Sequence, residues 1–137
     1  MIKCNYLKDP MKFGAIVLRL AFGILFILAA VQKFRMGYGA FADIIMNGDN
    51  LIAKEIPAFL LTIYGYALPG LEFIVGILLV LNIWSKYAYA TISLIYLSFI
   101  FGQTYNGNAS IVGTEYIPAL LTVVVAYYLQ DKAVSKK

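Results

Sequence analysis

The sequence predicts an all-α, polytopic membrane protein: a four-transmembrane-helix bundle with a short interfacial helix between the first and second spans. Three observations carry this. Of 137 residues, 62% are hydrophobic and only 13% charged, and the mean hydropathy is +0.81. A soluble domain of this size has no interior large enough for that much apolar surface. The apolar runs approach the ~20 residues that cross a hydrocarbon core as a helix. Small and polar residues recur inside those runs at helical spacing, as the inward face of a bundle requires.

The first span is predicted over 13–34. It follows Lys3, Lys8 and Lys12 like the core of a secretory signal, but it is too long for one and runs into Lys33 and Arg35, so a retained helix is expected. The segment 39–54 places Phe41, Ile44, Ile45 and Ile52 at roughly helical spacing and reads as a short helix on the membrane surface. The second span is predicted over 57–84, overlong and interrupted by Gly65, Pro69 and Gly70, with tilt or a kink expected. A short turn at 82–86 makes it a hairpin with the third span, 87–103. Residues 102–114, rich in Gly, Asn, Ser and Thr, read as an irregular loop; the sequon Asn108-Ala109-Ser110 within it reads as a chance match. A short fourth span is predicted over 116–130. Lys3, Lys8, Lys12, Lys86, Lys132, Lys136 and Lys137 fall on one side, against Lys33, Arg35 and Lys54 on the other. That bias places both termini in the cytoplasm of a plasma-membrane protein.

Composition also excludes chemistry. Histidine is absent and Cys4 is the single cysteine, so no haem or metal is expected, and no internal disulfide or Cys-x-x-Cys couple exists. Cys4 reads as an inert thiol. The net charge of +4 suits anionic headgroups, and nothing points to nucleic acid. The expected partners are the bilayer and either other subunits of a membrane complex or further copies of the chain.

Each span carries one stripe. Arg19, Gly23, Phe26, Ala30 and Lys33 share a face of the first; Gly65, Pro69, Glu72, Gly76 and Leu79 of the second; Tyr89, Ser93, Tyr96, Ile100 and Gln103 of the third; Glu115, Ala119, Thr122 and Ala126 of the fourth. Arg19 and Glu72 lie deepest in apolar sequence, each costing on the order of 3 kcal/mol if left unpaired. Side chains lean toward their own helix N-terminus, so on antiparallel helices these two lean apart. A direct Arg19–Glu72 bridge stays open if the long Arg side chain reaches back or water intervenes, and Lys33, on the same stripe, competes for Glu72. Such a pair either fixes helix register or handles a ligand or proton. Glu115, at the start of the fourth helix, suits the helix dipole as a cap.

Leu18-Arg19-Leu20, Gly23-Ile24-Leu25-Phe26 and Gln32-Lys33-Phe34 resemble the first helix of DoxX/DoxD-type membrane proteins. Tyr66-Ala67-Leu68-Pro69-Gly70-Leu71-Glu72 with Gly76-Ile77-Leu78-Leu79 resembles their second, and Trp84-Ser85-Lys86 and Glu115 also fit. Ala30 stands where the family often has glycine. The resemblance implies one four-helix domain over 1–137, acting as an integral subunit of a quinone-linked oxidoreductase complex, as in thiosulfate:quinone oxidoreductase, rather than as an enzyme alone. It implies Glu72 and Arg19 as the catalytic candidates and Tyr96, Gln103, Lys33 and Glu115 as residues around a quinone head. The alternatives are a non-catalytic assembly or scaffold subunit and, as a third class, a small-solute transporter working as an oligomer.

Overall fold

The computed structural model describes residues 8–37, 39–47 and 54–135, with the side chains of Phe41, Met46, Asn47 and Ser135 left undescribed. Cys4, Ile52, Lys3, Lys136 and Lys137 fall outside these. The described residues are almost entirely helical. Helix α1 spans Pro10–Arg35, α2 Ala40–Asn47, α3 Ala58–Leu81 and α4 Ser85–Tyr105; α5 (Ala109–Ile111) passes through a π-helical stretch, Val112–Tyr116, into α6 (Ile117–Ser135). Three segments are long and apolar enough to cross a membrane by length and composition: Pro10–Arg35, Ala58–Leu81 and Ala109–Val134. Helix α4 is of similar length, but its Tyr, Ser and Thr dilute its apolarity.

Each helix begins and ends for a local reason. The Asp9 carboxylate accepts from the Met11 N–H at 3.1 Å, and Pro10, which has no N–H to satisfy, takes the first helical position. Helix α3 ends at Leu81, short of the predicted Trp84. Asn82 adopts the left-handed conformation (φ 57°), and the Ile83 N–H reaches the Leu78 carbonyl at 2.9 Å, as in a Schellman cap. Trp84 is left-handed as well (φ 50°). This reversal throws Trp84 outward, 71% exposed, with Tyr87 beside it at 75%. Trp84 is the only tryptophan, so it reports on the turn alone. Its fluorescence in bilayers should be quenched more strongly by lipids brominated near the headgroup than by those brominated near the chain end. The reverse order would remove the turn from the membrane surface.

The region 102–114 is not the irregular loop predicted. Helix α4 continues to Tyr105, the chain turns through Asn106, Gly107 (φ 84°) and Asn108, and helix resumes at Ala109. Glu115 therefore lies inside a helical segment and is exposed, not at a helix N-terminus. The π stretch follows from Pro118, which cannot donate and whose ring crowds the carbonyl four residues before it. The helix widens there: the Ile117 N–H bonds the Val112 carbonyl, five residues back. The Thr114 hydroxyl turns back to the Ser110 carbonyl at 2.9 Å. Helix α3, by contrast, runs unbroken through Pro69.

The long helices close a ring in which α1 packs on α3, α3 on α4, α4 on α6 and α6 on α1, with α2 laid against α3. Phe22, Phe26, Leu68, Val75, Leu79, Tyr89, Ile92, Tyr96, Val123 and Ala126 fill its centre. Glycine permits two close backbone approaches. A Cβ on Gly76 would meet the Gly23 carbonyl at 2.8 Å and the Ile27 nitrogen at 2.9 Å, and one on Gly65 would meet the Ala42 Cα at 2.7 Å. Every stripe residue of the second predicted span is buried in α3, and those of the first are buried or half-buried in α1. The fourth stripe is less complete, with Ala126 buried but Glu115 and Thr122 exposed.

Candidate functional site

The glycine contact between α1 and α3 sets an antiparallel register in which Arg19 lies opposite Leu79 and Lys33 opposite Glu72. Side-chain lean then decides the partners. Glu72 leans toward the start of α3 and Lys33 toward the middle of α1, so they converge. The Lys33 Nζ donates to Glu72 Oε1 and Oε2, both at 2.7 Å. The Glu72 side chain is 3% exposed and that of Lys33 18%, so the pair is desolvated and each ion depends on the other.

Arg19 leans the opposite way and does not pair with Glu72. Its Nη1 donates to the Leu79 carbonyl at 2.7 Å and the Val80 carbonyl at 3.3 Å. These carbonyls lie in the last turn of α3, where intrahelical donors run out and the dipole is negative. Arg19 is thus a helix cap contributed by a neighbouring helix, remote from the carboxylate. Beside it the buried Tyr89 hydroxyl has no hydrogen-bond partner among the described residues, and the Tyr89 ring packs edge-on against Phe22. At the same end Asn82 Oδ1 accepts from Ser85 Oγ at 2.9 Å and from Gln130 Nε2 at 3.2 Å, tying the turn to α6.

At the Lys33 end the helices separate around a cavity of about 710 Å³. Ile44 and Ile45 of α2, Leu60 and Leu61 of α3, and Phe99 and Phe101 of α4 make its walls apolar. Its polar groups are Lys33, Tyr64, Ser98, Gln103, Asn106 and Tyr116. Tyr64 Oη and Ser98 Oγ lie 2.8 Å apart. Ser98 also approaches the Ile95 carbonyl at 2.6 Å, to which only its own proton can be given, so Tyr64 is the donor of the pair and Ser98 the acceptor. Gln103 Oε1 accepts from Asn108 Nδ2 at 2.8 Å, which orients the Gln103 amide; its Nε2 protons are donors. Glu72 is within electrostatic reach of both Tyr64 and Tyr96.

Of the six residues singled out in the sequence, Lys33 and Gln103 line this cavity and Glu72 stands behind Lys33. Tyr96 is buried in the core, its ring 6.0 Å from Phe26 and 6.3 Å from Phe99. Arg19 is at the opposite end of the bundle and Glu115 on the surface. Tyr64 and Ser98 were not among the expected residues. Tyr64 lies off the second stripe and Ser98 off the third, so only the helix crossing brings them together. Among the described residues no three His, Cys, Asp or Glu side chains form a metal-binding group.

Comparison with known families corrects the DoxX/DoxD resemblance. The family model described as methylamine utilisation protein MauE matches residues 11–114, from the second residue of α1 through α5. The motifs that suggested DoxX are apolar and glycine patterns that different membrane bundles share. No curated protein and no solved structure gives a match.

Proposed function

From the premise that the chain belongs to the MauE family, we propose that it is a multi-pass membrane protein that serves a partner redox enzyme of amine utilisation, linking it to a lipid-soluble electron carrier. The proposal gives it four spans, α4 joining the three apolar ones as the third in chain order, with both termini cytoplasmic and α2 on the opposite membrane surface. A sulfur-oxidation role falls with the DoxX resemblance.

The observation that carries the proposal is the Lys33–Glu72 pair at the wall of an apolar cavity. Ionisable groups are costly at this depth, and where they persist beside a cavity they mark a ligand path. A quinone head fits the groups present: Lys33 and the Gln103 amide are donors, and the hydrocarbon walls suit its tail. A bound quinone would supply two-electron carriage, chemistry that no side chain of this protein provides. Lys33 would orient such a head, and Glu72 holds the Lys33 ammonium in place. Arg19 acts elsewhere, on the fold.

A second reading, a helper in the partner's maturation with no electron-carrying role, is favoured by the lack of histidine and the single cysteine. One experiment separates the two. In a strain deleted for this gene, the partner dehydrogenase should still oxidise amine with an artificial dye acceptor but lose most of its quinone-coupled rate. Loss of the dye-coupled rate as well would establish maturation instead, and unchanged rates on both acceptors would exclude either role.

A further inference from the structure

We infer that the cavity takes its ligand from the bilayer rather than from water, and that this ligand is a neutral, hydrocarbon-tailed molecule whose head carries a carbonyl oxygen. The inference deepens the reading above and rests on it in treating the cavity as a ligand site, α4 as a span and α2 as lying at the membrane surface.

The rim supports the route. Ile44, Leu60 and Phe101, one from each of α2, α3 and α4, line the cavity while remaining 52%, 47% and 62% exposed. An opening framed by large apolar side chains on membrane-facing helices is continuous with the acyl chains. A water-borne solute would have to cross that apolar frame, whereas a hydrocarbon tail gains by lying in it.

The polar groups support the head. Lys33 brings a positive charge to the wall, and the Gln103 amide, whose oxygen accepts from Asn108, offers its Nε2 protons. A head that accepts hydrogen bonds matches both. Charge then excludes the anionic acceptors. Glu72 already neutralises Lys33 with both carboxylate oxygens at 2.7 Å. A carboxylate or phosphate head would set a second negative charge beside one ammonium where the dielectric is low. A carbonyl accepts a hydrogen bond and leaves the ion pair intact.

The test uses the full chain in lipid nanodiscs. With Trp84→Phe removing the native fluorophore, Phe99→Trp places a reporter in the cavity and Phe101→Trp one at its rim. Chain-brominated lipid and decylbenzoquinone should quench both reporters, the quinone saturably, and aqueous acrylamide should quench the Phe99→Trp reporter less than one tenth as well as free tryptophan. Palmitate at equal concentration should leave the quinone titration unmoved. The double variant Lys33→Met/Glu72→Leu, which keeps side-chain volume, should weaken quinone binding at least tenfold, and so should Gln103→Leu. Quenching by acrylamide without quenching by brominated lipid would overturn the route; palmitate competing as well as the quinone would overturn the neutral head. If Phe99→Trp does not fold, the rim reporter carries both readings. Saturable quinone binding in a protein whose deletion leaves amine oxidation untouched would remove the redox-partner role and leave this site standing.

Discussion

Lys33→Met is expected to destabilise the folded bundle by about 3–5 kcal/mol, the range for removing one partner of a buried ion pair. The Glu72 carboxylate is 3% exposed at its side chain and receives both of its hydrogen bonds from Lys33. Without the ammonium it keeps the desolvation cost and loses the compensation. Glu72→Gln should cost less, because an amide oxygen still accepts from Lys33 and the 18%-exposed ammonium retains some solvation. The double variant Lys33→Met/Glu72→Leu should recover most of the loss, since apolar groups of similar volume often replace a buried pair at little cost. Denaturant titration in mild detergent, run as a double-mutant cycle, measures all three. A Lys33→Met variant within about 1 kcal/mol of the parent would show that the pair is solvated.

The second large effect is expected at Gly76, where α1 and α3 touch backbone to backbone. Gly76→Ala should destabilise by about 1–3 kcal/mol, the range for overpacking a close contact, and Gly76→Leu by more. The reason is what the added Cβ would meet. The Ile27 Cγ1 at 2.6 Å can rotate away, but the Gly23 carbonyl at 2.8 Å and the Ile27 nitrogen at 2.9 Å are backbone. Helix α1 would have to withdraw, and that shift would also disturb the register that joins Lys33 to Glu72. Gly102→Ala is the control: nothing lies within 4 Å of its Cβ, and alanine suits a helix interior better by roughly 0.5–1 kcal/mol. The same detergent titration compares them, and equal behaviour of the Gly76 and Gly102 variants would remove the tight crossing.

The helices and their inward faces were legible in the sequence because periodicity is a local property. Phe26, Ala30, Pro69, Glu72 and Leu79 are buried as their spacing requires. The ends of the elements were less so. Asn82 in a left-handed cap and Pro118 behind a π turn each depend on hydrogen bonds rather than on hydrophobic period. The polar run 102–114 contains turn-forming residues throughout, yet only Asn106 to Asn108 make the turn.

Partner choice was half legible. Helix polarity and side-chain lean set Arg19 against Glu72 and made Lys33 the competitor, but neither says what Arg19 would find. That answer, the last carbonyls of α3, needed the register that the Gly23–Gly76 contact sets. The cavity is further still from the sequence. Its lining comes from residues as distant as Lys33, Ile44, Leu60, Phe101 and Tyr116, and nothing in any single helix marks them as neighbours.

The sequence by itself therefore determined the solvent of this protein, its helical class and which face of most helices turns inward, since hydropathy and a 3.6-residue period act within one segment. The tertiary structure alone decided that Lys33 neutralises Glu72, that Arg19 caps a neighbouring helix and that an apolar-rimmed cavity opens beside the ion pair. Those depend on how closely two backbones approach and at what register, quantities set by contacts between segments far apart in the chain.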